Sequence, residues 1–375
     1  MKRLYFDSVS TQKPQKEIIT LYKNLLDKYY VNADSLYDEG LELYNLQERA
    51  RSNIAKMLGV YNDEIIFTSG SSEANNLAIK GICFKNLKRK HLITSVSEHS
   101  SVYNTFKQLE ELFNFDVTYL PVNNKGQVEL DDLKNAIKED TLLVSIIYVN
   151  NETGAINDIA SMAEYVKKNS NAYFHSDMTQ ALAKVDINLE NIDLANFSAH
   201  KIGGLKGSGI LMRKRYLNLA SLITGGQQEF GLRGGTSNVL VNICFAKTLR
   251  LALEKHQSSK IKISELKNYL VKKLEMVAKI TFNSYDNIYN LVNISTSIKS
   301  EIMLNALNKK GIMVSAISTC NSKLAKPSRN LLAMNKSENE SLSSIRISLS
   351  EDLTFKDIDY LVESIKETIN KYETS

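Results

Sequence analysis

Between residues 64 and 212, short apolar runs alternate with amphipathic stretches, and this rhythm constrains the fold more than any other feature of the sequence. Runs at 64–68, 91–96, 116–120, 141–149, 172–176 and 192–197 read as strands, with 210–212 closing the series. Between them, 100–113, 131–138, 157–168 and the stretch carrying Ala74, Leu77, Ala78 and Ile79 show helical spacing. Near-continuous apolar strands separated by such helices predict an α/β fold with a mostly parallel sheet covered on both faces. Upstream, 16–30 and 41–58 are also helical in pattern, the second ended by Gly59. Beyond 239 a long helical region runs towards 277, with a break expected near His256-Gln257-Ser258-Ser259. It leads to a smaller α+β unit, with strands at 289–294, 312–315 and 344–349 and helices at 301–307 and 356–372. The expected division is a large unit over 13–255 and a small one formed by 1–12 with 256–375.

At 375 residues the chain is long enough for two such units, each with its own core. Its 47 basic and 42 acidic residues are interspersed, so no nucleic-acid surface is expected. No apolar run has the length of a signal peptide core or a membrane span. Cys83, Cys244 and Cys320 are too widely spaced for a disulfide framework or a Cys-x-x-Cys metal site. A reducing compartment, hence the cytoplasm, is the expectation, with no metal.

On sheets of this kind ligands bind beyond the C-terminal strand ends. Polar residues gather there: Ser71 and Ser72, Glu98-His99-Ser100, Asn150-Asn151-Glu152, Asp177 with Gln180, and His200 with Lys201. Any one of these can be a cap or a turn; together they outline one cleft. The turn Ser69-Gly70-Ser71-Ser72-Glu73 opens a helix and offers hydroxyls and free amides to an anion. Lys201 lies in Ser198-Ala199-His200-Lys201-Ile202-Gly203-Gly204, where a lysine can have a lowered pKa and attack a carbonyl. A Schiff-base lysine and an acid paired with a pyridinium nitrogen, here Lys201 and Asp177, are the two parts that pyridoxal phosphate chemistry needs. The glycine-dense stretch 224–236 is read as a functional loop.

In order, the motifs are Phe67-Thr68-Ser69-Gly70-Ser71-Ser72-Glu73-Ala74-Asn75-Asn76, Glu98-His99-Ser100, Val149-Asn150-Asn151-Glu152-Thr153-Gly154 and His175-Ser176-Asp177-Met178-Thr179-Gln180. They continue with Phe197-Ser198-Ala199-His200-Lys201, Gly225-Gly226-Gln227-Gln228-Glu229 with Arg233-Gly234-Gly235-Thr236, and Ser344-Ile345-Arg346-Ile347-Ser348. In this order they resemble the pyridoxal-phosphate-dependent cysteine desulfurases of the class V aminotransferase family. The resemblance implies the aspartate aminotransferase-like fold (fold type I), with the large unit holding the cofactor. It also implies that the enzyme converts L-cysteine to L-alanine and passes the sulfur onward as a persulfide.

Roles follow from the resemblance residue by residue. Lys201 forms the Schiff base with pyridoxal 5'-phosphate, Asp177 pairs with the ring nitrogen, His99 stacks on the ring and Gln180 donates to its phenolic oxygen. Ser71, Ser72, Ser198 and His200 take the phosphate, joined by Thr236 from the neighbouring subunit, so a homodimer with a shared site is expected. Asn151 and Arg346 bind the substrate carboxylate, and Cys320 receives the sulfur. The acceptor would be an iron–sulfur scaffold or a tRNA-thiolating enzyme. The chain departs from the family pattern at Ser8-Val9-Ser10-Thr11-Gln12-Lys13, at Asn32-Ala33-Asp34-Ser35-Leu36-Tyr37, at Gly203-Gly204-Leu205-Lys206-Gly207 and at Ala316-Ile317-Ser318-Thr319-Cys320. These differences suggest a divergent branch. The rival readings are a selenocysteine lyase or other class V aminotransferase, and a non-catalytic sulfur-transfer scaffold. A nucleotide-binding protein is disfavoured because neither glycine-rich nucleotide motif is present.

Overall fold

The computed structural model describes residues 3–284, 286–316 and 326–373. The chain enters through a short strand, β1 (Leu4–Tyr5), and two helices, α1 (Lys16–Lys28) and α2 (Asp38–Leu58). The alternating region then forms β2 (Ile65–Thr68), α3 (Ser71–Lys85), β3 (His91–Ser95), α4 (Ser100–Phe113), β4 (Asp116–Leu120), α5 (Leu130–Ala136), β5 (Thr141–Ser145), α6 (Ile159–Asn169), β6 (Tyr173–Asp177), β7 (Leu194–Ser198) and β8 (Gly209–Arg213). These strands make one seven-stranded sheet in the order β2-β8-β7-β6-β5-β3-β4. β4, β3, β5, β6 and β7 run parallel, and β8 lies antiparallel between β7 and β2. The fully buried strand residues explain the unbroken apolar runs in the sequence, since helices cover both faces. One core packs Phe67, Val144, Phe174 and Phe197 against one set of helices, and another packs Ile66, Leu92, Leu143 and Leu211 against α3 and α4.

The apolar run 141–149 is longer than β5. Past Ser145 the backbone still bonds β6, Ile146 N to His175 O and Tyr148 N to Asp177 O. The chain then turns at Asn150, whose Oδ1 accepts the amides of Glu152 and Thr153.

A single helix, α7 (Val239–Glu275), leads on to β9 (Ile280–Ser284), β10 (Leu291–Thr296), α8 (Ser300–Lys309), β11 (Ile312–Met313), β12 (Ser315–Ala316), α9 (Arg329–Ala333), α10 (Glu338–Leu342), β13 (Ser344–Ser348) and α11 (Phe355–Glu373). A second sheet, β12-β13-β10-β9, is antiparallel throughout. The break expected at 256–259 is absent, and α7 passes straight through. No glycine or proline interrupts it, and Ser258 Oγ donates back to Lys255 O at 3.0 Å. Its first half buries Phe245 and Leu249 in the large core; its second half buries Ile263, Leu266 and Leu270 in the core of the second sheet. The expected division at 255/256 therefore falls inside a helix that belongs to both cores.

The N-terminal segment also spans both parts. β1 pairs with β11 in parallel, and Asp7 bridges Ser348. Ser8 Oγ then donates to Leu349 O at 2.8 Å, and Val9 packs into the large core.

Candidate active site

The exits of β2, β3, β5, β6 and β7 bring the predicted side chains to one end of the sheet. Asp177 closes β6 and is buried. Its Oδ2 accepts Asn75 Nδ2 at 2.8 Å, and its Oδ1 accepts the amide of Thr179 at 3.0 Å and Asn196 Nδ2 at 3.1 Å. Burial alone pushes this carboxyl up. The His99 imidazole beside it and the hydrogen bonds from Thr179 and Asn75 outweigh it, so the pKa is held below the ordinary value. Behind it, His175 Nε2 meets Asn196 Oδ1 at 3.2 Å, which leaves the Asn196 amide hydrogens for Asp177.

His99 caps α4. Its Nδ1 accepts the amide of Ser101 at 3.2 Å and lies 2.8 Å from the Ser101 hydroxyl, so the ring proton sits on Nε2. Burial pushes its pKa down and keeps it neutral. Ser101 Oγ in turn accepts Asn75 Nδ2 at 2.9 Å, so Asn75 ties His99 and Asp177 into one network.

Lys201 sits in a short 3-10 turn after β7. Its Nζ donates to Val9 O at 2.9 Å and Ser10 O at 2.7 Å. Burial, and then the charge of Arg346, push its pKa down to about 8, against the pull of Asp177 and Asp7. A lysine in that range supplies free amine near neutral pH. His200 Nδ1 lies 3.1 Å from Thr11 Oγ1, and burial lowers its pKa to about 4.

Arg346 stands on β13. It donates from Nη1 to Asn151 O at 2.7 Å and from Nη2 to Asp7 Oδ1 at 2.8 Å and Ser10 Oγ at 2.5 Å. Its Nε is buried without a partner. Asn151 thus meets Arg346 through its carbonyl oxygen. Gln180 is buried, with Nε2 on Val9 O at 3.0 Å.

The phosphate-cradle candidates lie around the α3 entrance. Ser71 Oγ accepts Thr179 Oγ1 at 2.7 Å, and Ser198 Oγ donates to Ser208 O at 3.4 Å. Gly209 comes so close to this turn that a Cβ there would lie 2.5 Å from Gly70 Cα. Ser72 is exposed at the helix start. Thr236 is exposed as well and makes no hydrogen bond with the other candidates among the described residues. Cys320 lies outside the described residues.

Several residues in this network escape a reading by motif. Val9 and Ser10 act through backbone carbonyls, so their side chains gave no signal; Ser10 and Thr11 also offer hydroxyls to Arg346 and His200. Asn75 and Thr179 sit inside motifs already singled out, and proximity to Asp177 gives them their role. Glu229, buried in the glycine-rich loop, forms a bidentate pair with Arg51 and accepts the amide of Phe67 at 2.8 Å. Arg233 Nε meets Glu73 Oε1 at 3.1 Å. These three contacts fasten the loop to α2, β2 and α3. Among the described residues no cluster of His, Cys, Asp and Glu could hold a metal ion, and no helix is long and apolar enough to cross a membrane.

The family described as Aminotransferase class-V matches residues 4–361. The chain belongs to the class V aminotransferases. It is 36% identical to the cysteine desulfurase IscS of Dictyoglomus turgidum, over 100% of this chain and 96% of that one. A solved NIFS-like protein superposes with a TM-score of 0.92 at 32% identity, covering 98% of this chain and 100% of the other. A structure described as SspA in complex with cysteine matches with a TM-score of 0.81 at 31% identity, over 93% of this chain and 99% of that one. Class V aminotransferases work with pyridoxal phosphate, and the residues here suit that group. A carboxylate held ionised by three donors fits a protonated ring nitrogen. A buried lysine near pKa 8 fits amine capture of an aldehyde. The unpartnered Arg346 Nε fits a carboxylate.

Proposed function

We propose that the protein is a cysteine desulfurase, taking sulfur from L-cysteine and releasing L-alanine. The observation that carries this is Lys201: a buried amine pinned by two carbonyls, its pKa lowered to about 8, within the electrostatic reach of Asp177 and Arg346. Pyridoxal phosphate, when bound, supplies an aldehyde for amine capture and an electron-withdrawing ring.

The chain's own residues divide the remaining work. Asp177 would hold the ring nitrogen protonated, and Asn75, Thr179 and Asn196 keep that carboxylate charged. Lys201 moves the proton at the substrate Cα, and neutral His99 would stack on the cofactor's ring. Arg346 holds the substrate carboxylate, with Asn151 beside it. Ser71, Ser72, Ser198 and His200 would take the phosphate, and Thr236 would serve the site of a second copy. The Cys320 thiolate attacks the substrate sulfur. The carbon–sulfur bond breaks, the carbon remainder takes a proton and leaves as alanine, and Cys320 keeps the sulfur as a persulfide.

Both flanks of residues 317–325 support that role for Cys320. On one side Ser315 pairs with Arg346 and Ala316 with Ile345. On the other, Arg329 donates to Val96 O at 2.6 Å and Glu98 O at 2.5 Å, and Ser328 to Glu152 at 2.5 Å. The acceptor we propose is a scaffold for iron–sulfur assembly or a tRNA-thiolating enzyme, reached in the cytoplasm. The buried free thiols of Cys83 and Cys244 suit a reducing compartment.

Incubation with L-cysteine, with assays for alanine and protein-bound persulfide, tests the proposal. Lys201→Ala should remove the cofactor's lysine-linked visible absorbance, and Cys320→Ser should keep the absorbance and lose sulfur release. A keto acid in place of alanine would favour an aminotransferase, and a colourless protein would favour a scaffold. Full sulfide production by Cys320→Ser would overturn the role of that residue.

A further inference from the structure

Lys184 is a buried lysine to which the desulfurase chemistry gives no role. It follows Ala181-Leu182-Ala183 on the turn after Asp177, and only 4% of its surface is exposed. Its Nζ lies 3.1 Å from Gln180 Oε1 and 3.2 Å from Gln180 O. On its other side is a cleft of about 550 Å³, lined also by Gln15, His256, Asn290 and Asp352.

The chemistry of these contacts fixes the Gln180 amide from both ends. The backbone oxygen of Val9 only accepts, so the amide atom 3.0 Å away must be nitrogen. A protonated lysine only donates, and its two neighbours here are a carbonyl oxygen and the other amide atom. That atom must be oxygen. The Gln180 NH2 therefore faces the carbonyl that also holds Lys201 Nζ at 2.9 Å. One of its hydrogens goes to Val9, and the second is free to donate beside Lys201.

We propose that Lys184 is a positioning residue that sets the polarity of the Gln180 amide, so that a donor and not an acceptor faces the cofactor's phenolic oxygen. This rests on the reading of Gln180 as the donor to that oxygen. Without Lys184 the amide keeps only the Val9 restraint. A flipped amide would set its oxygen lone pairs against the phenolate and raise the proton affinity of the lysine-linked cofactor.

The test is a pH titration of the visible absorbance of the cofactor-loaded protein. Lys184→Met should move the midpoint up by roughly half a pH unit or more. Gln180→Leu should move it likewise, and the double variant no further than either alone. Lys184→Arg, which keeps a donor-only group and has the cleft to expand into, should restore the wild-type midpoint. Melting curves of each variant verify folding; removal of a buried amine should leave the Lys184→Met protein at least as stable as the wild type. A shift in Gln180→Leu with none in Lys184→Met overturns the positioning role while sparing that of Gln180, as do additive shifts. No shift in Gln180→Leu overturns both. A wild-type protein without visible absorbance overturns the proposed function and this assignment with it.

Discussion

Glu98 shows how one buried side chain gives the protein a pH dependence. It lies at the β3 exit, where its Oε1 accepts the amide of Ile147 and the hydroxyl of Ser95, both at 2.8 Å, while Oε2 has no partner. Burial pushes its pKa up to about 8. The unfolded chain releases this proton near ~4.3, so between the two values the folded state holds more protons than the unfolded one. The contribution to stability is complete below the lower value and is lost as pH rises through the higher. Glu98→Gln keeps the acceptor and replaces the ionisable oxygen with an amide. Its melting temperature should fall less than that of the wild type between about pH 6 and pH 9; parallel curves would refute this. Lys201, Asp177 and His99 stand out at this scale because each is an ionisable group at or just beyond a strand end, whereas Arg346, in the middle of β13, stands out only through the family resemblance. Val9 and Ser10 were not, because a backbone carbonyl is the same in every residue. Lys184 lies outside every motif of the sequence, and only the folded turn shows that it is buried.

Among the elements, the strand–helix rhythm was legible because burial on two faces leaves a continuous apolar run. Contacts between distant segments left no local trace: Arg51 and Glu229, 178 residues apart, are each about 3% exposed yet pair without disturbing any periodicity. The departure at Gly203-Gly204 gains a physical account. Gly203 ends the turn of Lys201 with a φ of +82°, and Gln15 packs against it with its amide on Gly203 O at 3.0 Å. A larger residue at Gly203 would displace Gln15, and a Cβ at Gly204 would lie 2.8 Å from Ala199 Cβ. Gly209 is the most exacting of these positions, because the atoms that a side chain would meet there are backbone: Gly70 Cα at 2.5 Å, Gly70 C at 2.8 Å and Phe197 O at 2.8 Å. Gly209→Ala should cost about 1–3 kcal/mol and open the turn that precedes Ser71. Thermal melts and cofactor retention on gel filtration report this; a variant that melts with the wild type and holds cofactor as well would count against it.

For the whole molecule, the apolar surface on α1, α2 and the loop between them needs a cover. Leu26 is 56% exposed, Leu36 88% and Tyr30 94%, and Ile19, Tyr37, Leu41 and Tyr44 on the same stretch are exposed as well, so apolar exposure is clustered here. With Thr236 exposed on the glycine-rich loop, this supports a second copy as the cover. Leu26→Asp combined with Leu36→Asp should convert a sedimenting dimer to monomer and lower cofactor retention together. A fully active wild-type monomer at micromolar concentration would end the idea. The small unit was legible in outline, and its union with the large one through α7 and residues 7–11 was not, since both links depend on partners far off in the chain.

The strand of residues near position 9 has a consequence for how the protein comes into being. Val9 N donates to Ser348 Oγ across 339 positions, and Ser8 Oγ to Leu349 O across 341. The carbonyls that hold Lys201 gain these two anchors only once β13 has left the ribosome, although Val9 also packs into the large core and Gln180 donates to its oxygen. At about 5–20 residues per second the early segment waits many seconds for its dock. During synthesis the large sheet can form around Asp177 and His99 while the segment that holds the lysine still lacks its anchors on β13. A chain cut short before β13 lacks Arg346 and the anchors of residues 8 and 9, even though most of the side chains around Asp177 and Lys201 are present.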